Sequence, residues 1–266
     1  MRCAALGVVL CSSVLWAASG TKSPETLVIT NVNVVDMRHG GIEPKVNVVI
    51  EDGVITAISR YSLVDVGPHD RLVNAEGRYL IPGLWDMHAR ISSRTNWNKH
   101  AGFTSYLLNG VTGLRDPEGF EEKCADKKLE SLSPEITKRG HSPHPELGIV
   151  EFEAIRGLEQ ADFDSSPGAW IHHEMQELVS TGSSPFQALQ AVTYNAALYM
   201  GRLDQYGVIE RGRIADMVLL DENPLDNIRN TEKIAAVVLR GTYFSRTELE
   251  AAKQQANTEQ SSRLTQ

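Results

Sequence analysis

Cysteine is scarce in this 266-residue chain: there are three, and Cys3 and Cys11 both fall within the first twenty positions. Only Cys124 remains beyond them, so a disulfide within residues 21–266 is excluded, and stability must come from a packed core or a metal. Positive charge is also in deficit. Lys and Arg number 26 against 34 Asp and Glu, a net charge of −8 that argues against the basic face of a nucleic-acid binder. No Asn-X-Ser/Thr acceptor occurs, so glycosylation offers no marker. Beyond the N-terminus no stretch is apolar enough to span a bilayer, which needs about 20 residues.

The N-terminus itself is apolar. Met1 and Arg2 precede a run from Ala4 to Ala18, and the small residues Ala18, Ser19 and Gly20 suit a signal-peptidase site. Residues 1–20 are therefore expected to be a signal peptide and the mature protein secreted or periplasmic, without a membrane segment after cleavage. An uncleaved anchor is the alternative. Loss of Arg2 changes the net charge from −8 to −9.

Extended patterns occupy both ends of the remainder. Leu27, Ile29, Val32 and Val34 mark a half-buried strand over Thr26–Asp36, and Asp52-Gly53 between apolar runs from Val46 to Ile58 is a hairpin signal. Short strands follow at Arg71–Ala75 and Tyr79–Ile81, stopped by Pro82 and Gly83. Near the other end, strands are expected at Gly207–Ile209, Asp216–Leu220 and Ile234–Leu239, with a turn at Gly241. Neither set can bury both of its faces alone, so the simplest arrangement pairs them. Between them, Ser184-Pro185-Phe186-Gln187 has the form of a capping box with Pro at the first helical position. One helix is expected before it, over His172–Ser180, and another after it, over Asn195–Met200, stopped by Gly201. The polar tail, residues 247–266, is expected to fray.

Ile81-Pro-Gly-Leu-Trp-Asp-Met-His88, following a small β region, resembles the first barrel strand of the metal-dependent amidohydrolase superfamily, of the imidazolonepropionase and prolidase-like type. The resemblance continues through Gly110-Val-Thr-Gly-Leu-Arg-Asp116, His172–Glu177, Thr181–Leu189, Val192–Ala197 and Gly207–Leu220. It implies an α/β fold: a partial, incomplete TIM-like (β/α) barrel over residues 83–205, carrying a composite β-sandwich domain formed by residues 21–82 and 206–246.

The resemblance also implies a chemistry, hydrolysis of carbon–nitrogen bonds in small amides, N-acyl amino acids or dipeptide-like substrates. Such enzymes use a divalent metal, here expected to be zinc, to activate water, with an aspartate moving the proton. By likeness of position the metal ligands would be His88, His141 and Asp164, with Asp164 as the catalytic residue. The chain departs from the pattern at three points. Arg90 stands where a second histidine is usual, Gln160 follows Glu159 where a histidine is usual, and no lysine stands in a fourth-strand context.

Length departs as well, because positions 83 to 204 give 122 residues (204 − 83 + 1), against roughly 200 or more for a complete barrel. Units are expected to be missing after Asp116 and between Gln160 and Asp162. Open strand edges then lead to the expectation of a homo-oligomer or of a disordered middle between Pro117 and Thr137. Two readings of function stay open: a hydrolase of small-molecule substrates, and a catalytically inactive relic of the family with at most a binding role. A plain β-sandwich binding module leaves the motif at Pro82–His88 without a purpose.

Overall fold

The structure is a computed structural model and describes residues 26–60, 67–68, 70–89, 99–116, 135–138 and 167–264. Residues 1–20, Arg90, Cys124, His141, Glu159, Gln160 and Asp164 lie outside the described residues.

The N-terminal strands are β1 (Leu27–Asp36), β2 (Gly41–Glu51), β3 (Val54–Ser59), β4 (Arg71–Asn74) and β5 (Tyr79–Pro82). β1 pairs antiparallel with β2, and β2 with β3 through the Asp52-Gly53 turn, where both residues have positive φ as a tight hairpin demands. β4 and β5 run parallel to β1 along different parts of its length. From the other end come β9 (Met217–Leu220), β10 (Ile234–Leu239) and β11 (Thr242–Ser245). β5 pairs antiparallel with β9, Ile81 opposite Val218, so strands from both ends share one eight-stranded sheet.

That sheet rolls on itself. Val48, Ile50 and Ile55 from β2 and β3 share a buried cluster with Met217, Leu219, Ala236 and Val238 from β9 and β10. Gly53 and Gly241 make the approach possible, since a Cβ on Gly53 would lie 2.9 Å from the Arg240 carbonyl oxygen. The segment Gly207–Ile209, expected as a strand, is irregular. Gly207 (φ +83°) turns tightly against Ala197 and Thr193, and Val208 and Ile209 are buried without a strand partner among the described residues.

A second sheet holds β6 (Leu84–Asp86), β7 (Val111–Asp116) and β8 (Glu135–Lys138), all parallel, in that order. Three of the four residues of β8, Glu135 to Thr137, fall inside the interval expected to be disordered, and the pairing of β8 with β7 shows that one more parallel strand follows Asp116. Helix α1 (Lys99–Leu108) connects β6 to β7. After the undescribed stretch come α2 (Trp170–Ser180) and α3 (Pro185–Gln190). The chain then continues through a π-helical turn, Ala191–Asn195, into α4 (Ala196–Tyr199), and Gly201 stops it with φ +65°.

The capping box at Ser184 is formed as the sequence implies: the Gln187 amide donates to Ser184 Oγ at 3.2 Å, and the Ser184 amide to Gln187 Oε1 at 2.8 Å. The two sheets share a core in which Leu84, Val111 and Leu114 meet Val218, Leu220, Val237 and Leu239, with Phe103, Ile171, Met175 and Leu189 from the helices.

The tail is a correction to the sequence reading. Where fraying was expected, the chain forms α5 (Arg246–Leu264). Ser245 and Glu248 cap it reciprocally, the Ser245 amide donating to Glu248 Oε2 at 2.6 Å and the Glu248 amide to Ser245 Oγ at 3.3 Å. Leu249, 1% exposed, anchors the first turn in the core.

Candidate functional site

Ligands of parallel α/β sheets bind beyond the carboxyl ends of the strands, and in the second sheet that end carries Asp86, Met87, His88 and Arg115. Gly83 sets the position of β6. Its amide donates to the Asp216 carbonyl at 2.9 Å, and a Cβ there would lie 1.9 Å from Thr112 Oγ1, so only glycine lets the chain pass from β5 into the parallel sheet. On one face of the sheet Trp85 stacks edge-on to Tyr206 (centroids 5.6 Å apart, 74° between planes) and overlies Gly113, whose missing side chain makes room for the indole.

The strand stops earlier than the sequence motif suggests. Asp86 Oδ1 accepts a hydrogen bond from the His88 amide at 2.9 Å, a local side-chain turn that competes with further extension. His88 therefore sits in a turn beyond β6 with its side chain exposed, not on the strand itself. The turn is fastened to β7 from two sides: the Ala89 amide donates to the Arg115 carbonyl at 3.0 Å, and Arg115 Nη1 donates to the Met87 carbonyl at 3.1 Å. The Arg115 guanidinium also faces the Tyr199 ring at 5.9 Å, and its Nε is buried without a hydrogen-bond partner among the described residues.

On the opposite side α2 delivers Glu174. Burial, reinforced by the Asp86 carboxylate, pushes the Glu174 carboxyl up to about 8. It therefore holds its proton at neutral pH beside a carboxylate on the strand end, the pairing of environments from which acid and base roles arise. The pairing of Asp86 with Glu174 is not legible in the sequence. Asp86 stood inside the quoted motif and Glu174 inside the quoted helix, but nothing in their spacing, 88 positions apart, signals that they meet.

Two positions before Glu174, burial lowers His172 to about 4, so its imidazole is neutral at neutral pH. The sequence shows His172 only as the opening residue of the helix expected over His172–Ser180, and in the structure it is enclosed in the core.

Of the three proposed metal ligands the structure describes only His88; His141 and Asp164 lie outside the described residues. Among the described residues no three His, Cys, Asp or Glu side chains come together in a way that could hold a metal ion. Those residues alone thus do not make up a metal centre, and among them Arg115 is a cation bonded to the His88 turn.

Comparison with known proteins bears on the family. Residues 168–243 match the Amidohydrolase family. The chain is similar to a dihydroorotase of Carboxydothermus hydrogenoformans, 36% identical over 92 residues, which is 33% of this chain and 20% of that enzyme. It is also similar to an allantoinase of Bacillus licheniformis, 28% identical over 137 residues, covering 45% of this chain and 28% of that one. The matched stretches thus span under a third of either relative's length. In fold it resembles molinate hydrolase, with a TM-score of 0.64 at 14% identity over 86% of this chain and 96% of that one. Residues 168–243 thus carry the sequence likeness to the amidohydrolase superfamily, and the fold as a whole, with its parallel strands and the C-terminal return through β9, is similar to that of molinate hydrolase.

Proposed function

We propose that the protein is an exported amidohydrolase-type hydrolase acting on carbon–nitrogen bonds of small amides, N-acyl amino acids or dipeptide-like substrates. The observation that carries the reading is the strand end itself. The β6 terminus presents Asp86 and His88 beyond a parallel sheet, with a protonated Glu174 carboxyl against Asp86. The relatives named above support the same bond class.

In this reading His88, His141 and Asp164 would hold a divalent ion, and Asp164 would carry the proton. Such an ion, when bound, lowers the pKa of its water. The chain's own described residues would do the rest: Asp86 fixes the His88 turn, Arg115 fastens that turn to β7, and Glu174 keeps a proton beside the strand end. A substrate enters from the side where His88 is exposed, and a homo-oligomer would cover the open strand edges.

A second reading, an inactive relic with a binding role, is favoured by the exposed position of His88 and by Arg90 and Gln160, which stand where histidines are usual. Elemental analysis of the purified protein, dialysed against zinc or manganese and read per folded chain, separates the two. The hydrolase reading expects about one retained ion, lost in His88→Ala, together with turnover of N-acyl amino acids or dipeptides. No retained ion and no turnover would leave the relic.

A further inference from the structure

Among the described polar groups that the proposed chemistry leaves unused, His172 is the most fully engaged. Its side chain is buried at 4% exposure. Nε2 lies 3.1 Å from the Asn109 carbonyl oxygen, and Nδ1 lies 3.0 Å from Thr231 Oγ1. A carbonyl only accepts, so Nε2 carries the proton, and the neutral ring turns a lone pair toward Thr231. Thr231 Oγ1 is also 2.7 Å from the Ile228 carbonyl, so its single proton is shared between two acceptors.

Asn109 extends the cluster, donating through Nδ2 to the Ser105 carbonyl at 2.8 Å and the Pro167 carbonyl at 3.3 Å. The imidazole thereby ties α2 to the Asn109 turn and to the 3₁₀ turn Ile228–Glu232, and the Asn109 side chain carries the link on to α1 and to the entry of α2.

Charged groups around it are few. From the 3₁₀ turn comes Glu232, whose carboxylate is held by Gln176 Nε2 at 2.5 Å. From α5 comes Lys253, which reaches Ser105 Oγ at 3.2 Å, while Ser105 and Asn109 on the α1 side are uncharged. On α2, Glu174 is set against Asp86, and His173 lies 3.9 Å from Glu177.

We infer that His172 is a proton-controlled latch: neutral, it clamps α2 between the Asn109 turn and the 3₁₀ turn, and protonated in acid it releases α2 before the large sheet unfolds. Placing a cation in this enclosure costs free energy that opening α2 into water avoids, and burial outweighs the opposing pull of Glu232. Release would also carry Glu174 away from Asp86, so the latch couples acidity to the strand end. The inference concerns the packing of α2 and stands apart from the hydrolase reading.

Hydrogen exchange of the full-length protein at pH 7, 6, 5 and 4, corrected for intrinsic exchange chemistry, tests it. Relative to β10, α2 amides should lose roughly tenfold or more additional protection between pH 7 and 5, and His172→Gln should abolish the excess. Parallel loss in α2 and β10, or an excess that persists in His172→Gln, overturns it. Should His172→Gln fail to fold, the His172 ring titration in the native protein, followed by NMR, decides: a midpoint near 4 supports the latch, and one at the ordinary 6.5 overturns it.

Discussion

His172 and Glu174, two positions apart on the same helix, pull the pH dependence of stability in opposite directions. Glu174 has its folded value raised from 4.5 to about 8, so its contribution is fully present below pH 4.5 and is lost as pH rises through 8. His172 has its value lowered from 6.5 to about 4, so its contribution is present above pH 6.5 and is lost as pH falls through 4. Glu174→Gln keeps the shape of the neutral acid and removes its titration. Urea midpoints measured from pH 5 to 8.5 should therefore fall with rising pH in the native protein and much less in Glu174→Gln, leaving the variant relatively more stable at pH 8.5. Equal slopes in the two proteins would show that the Glu174 carboxyl is not held protonated. Neither behaviour was legible in the sequence, because burial and the approach of Asp86 arise only when α2 docks on the strand end.

Elements were legible where local chemistry decides them. The Asp52-Gly53 hairpin, the Ser184 capping box and the Gly201 stop each rest on a few adjacent residues, and each is formed. Ser245-Arg246-Thr247-Glu248 has the same capping spacing, yet the polar composition behind it suggested fraying. What the composition hides is a run of good helix formers with one apolar anchor, Leu249, seated against the shared core. The prediction at this scale has two sizes. Ser245→Ala should cost about 1 kcal/mol as a lost cap, and Leu249→Ala about 2–5 kcal/mol as a core truncation, both read from thermal or urea unfolding. A Leu249→Ala cost no larger than that of Ser245→Ala would mean that α5 is a surface appendage. β6 shows the converse limit: the motif marks the strand, but the Asp86 side chain ends it two residues before His88.

At the scale of the whole molecule the sequence suggests two units, split near residues 82 and 206, and the packing runs across that division. β5 is the seam, parallel to β1 on one edge and antiparallel to β9 on the other, so strands from both ends need one another to complete the sheet. Gly110, at the turn into β7, lies so close to β9 that a Cβ on it would sit 3.0 Å from Val218 Cγ2, and Val218 shares its cluster with Leu84 and Leu114 of the parallel sheet. Such a contact could not be read from periodicity, since nothing in either segment names the other. A continuous core of this kind unfolds as one unit, whereas two domains with separate cores would give two transitions. In a variant with Trp97 and Trp170 replaced by Phe, unfolding followed by the Trp85 indole, which then reports the parallel sheet, should therefore coincide with unfolding followed by far-UV circular dichroism. Val218→Ala, truncating a side chain between the sheets, should lower both midpoints together by an amount equivalent to about 1–3 kcal/mol. If the Trp85 signal instead kept its midpoint while the dichroism shifted, the parallel sheet would have a core of its own, and the pairing of β5 with β9 would not hold the molecule together.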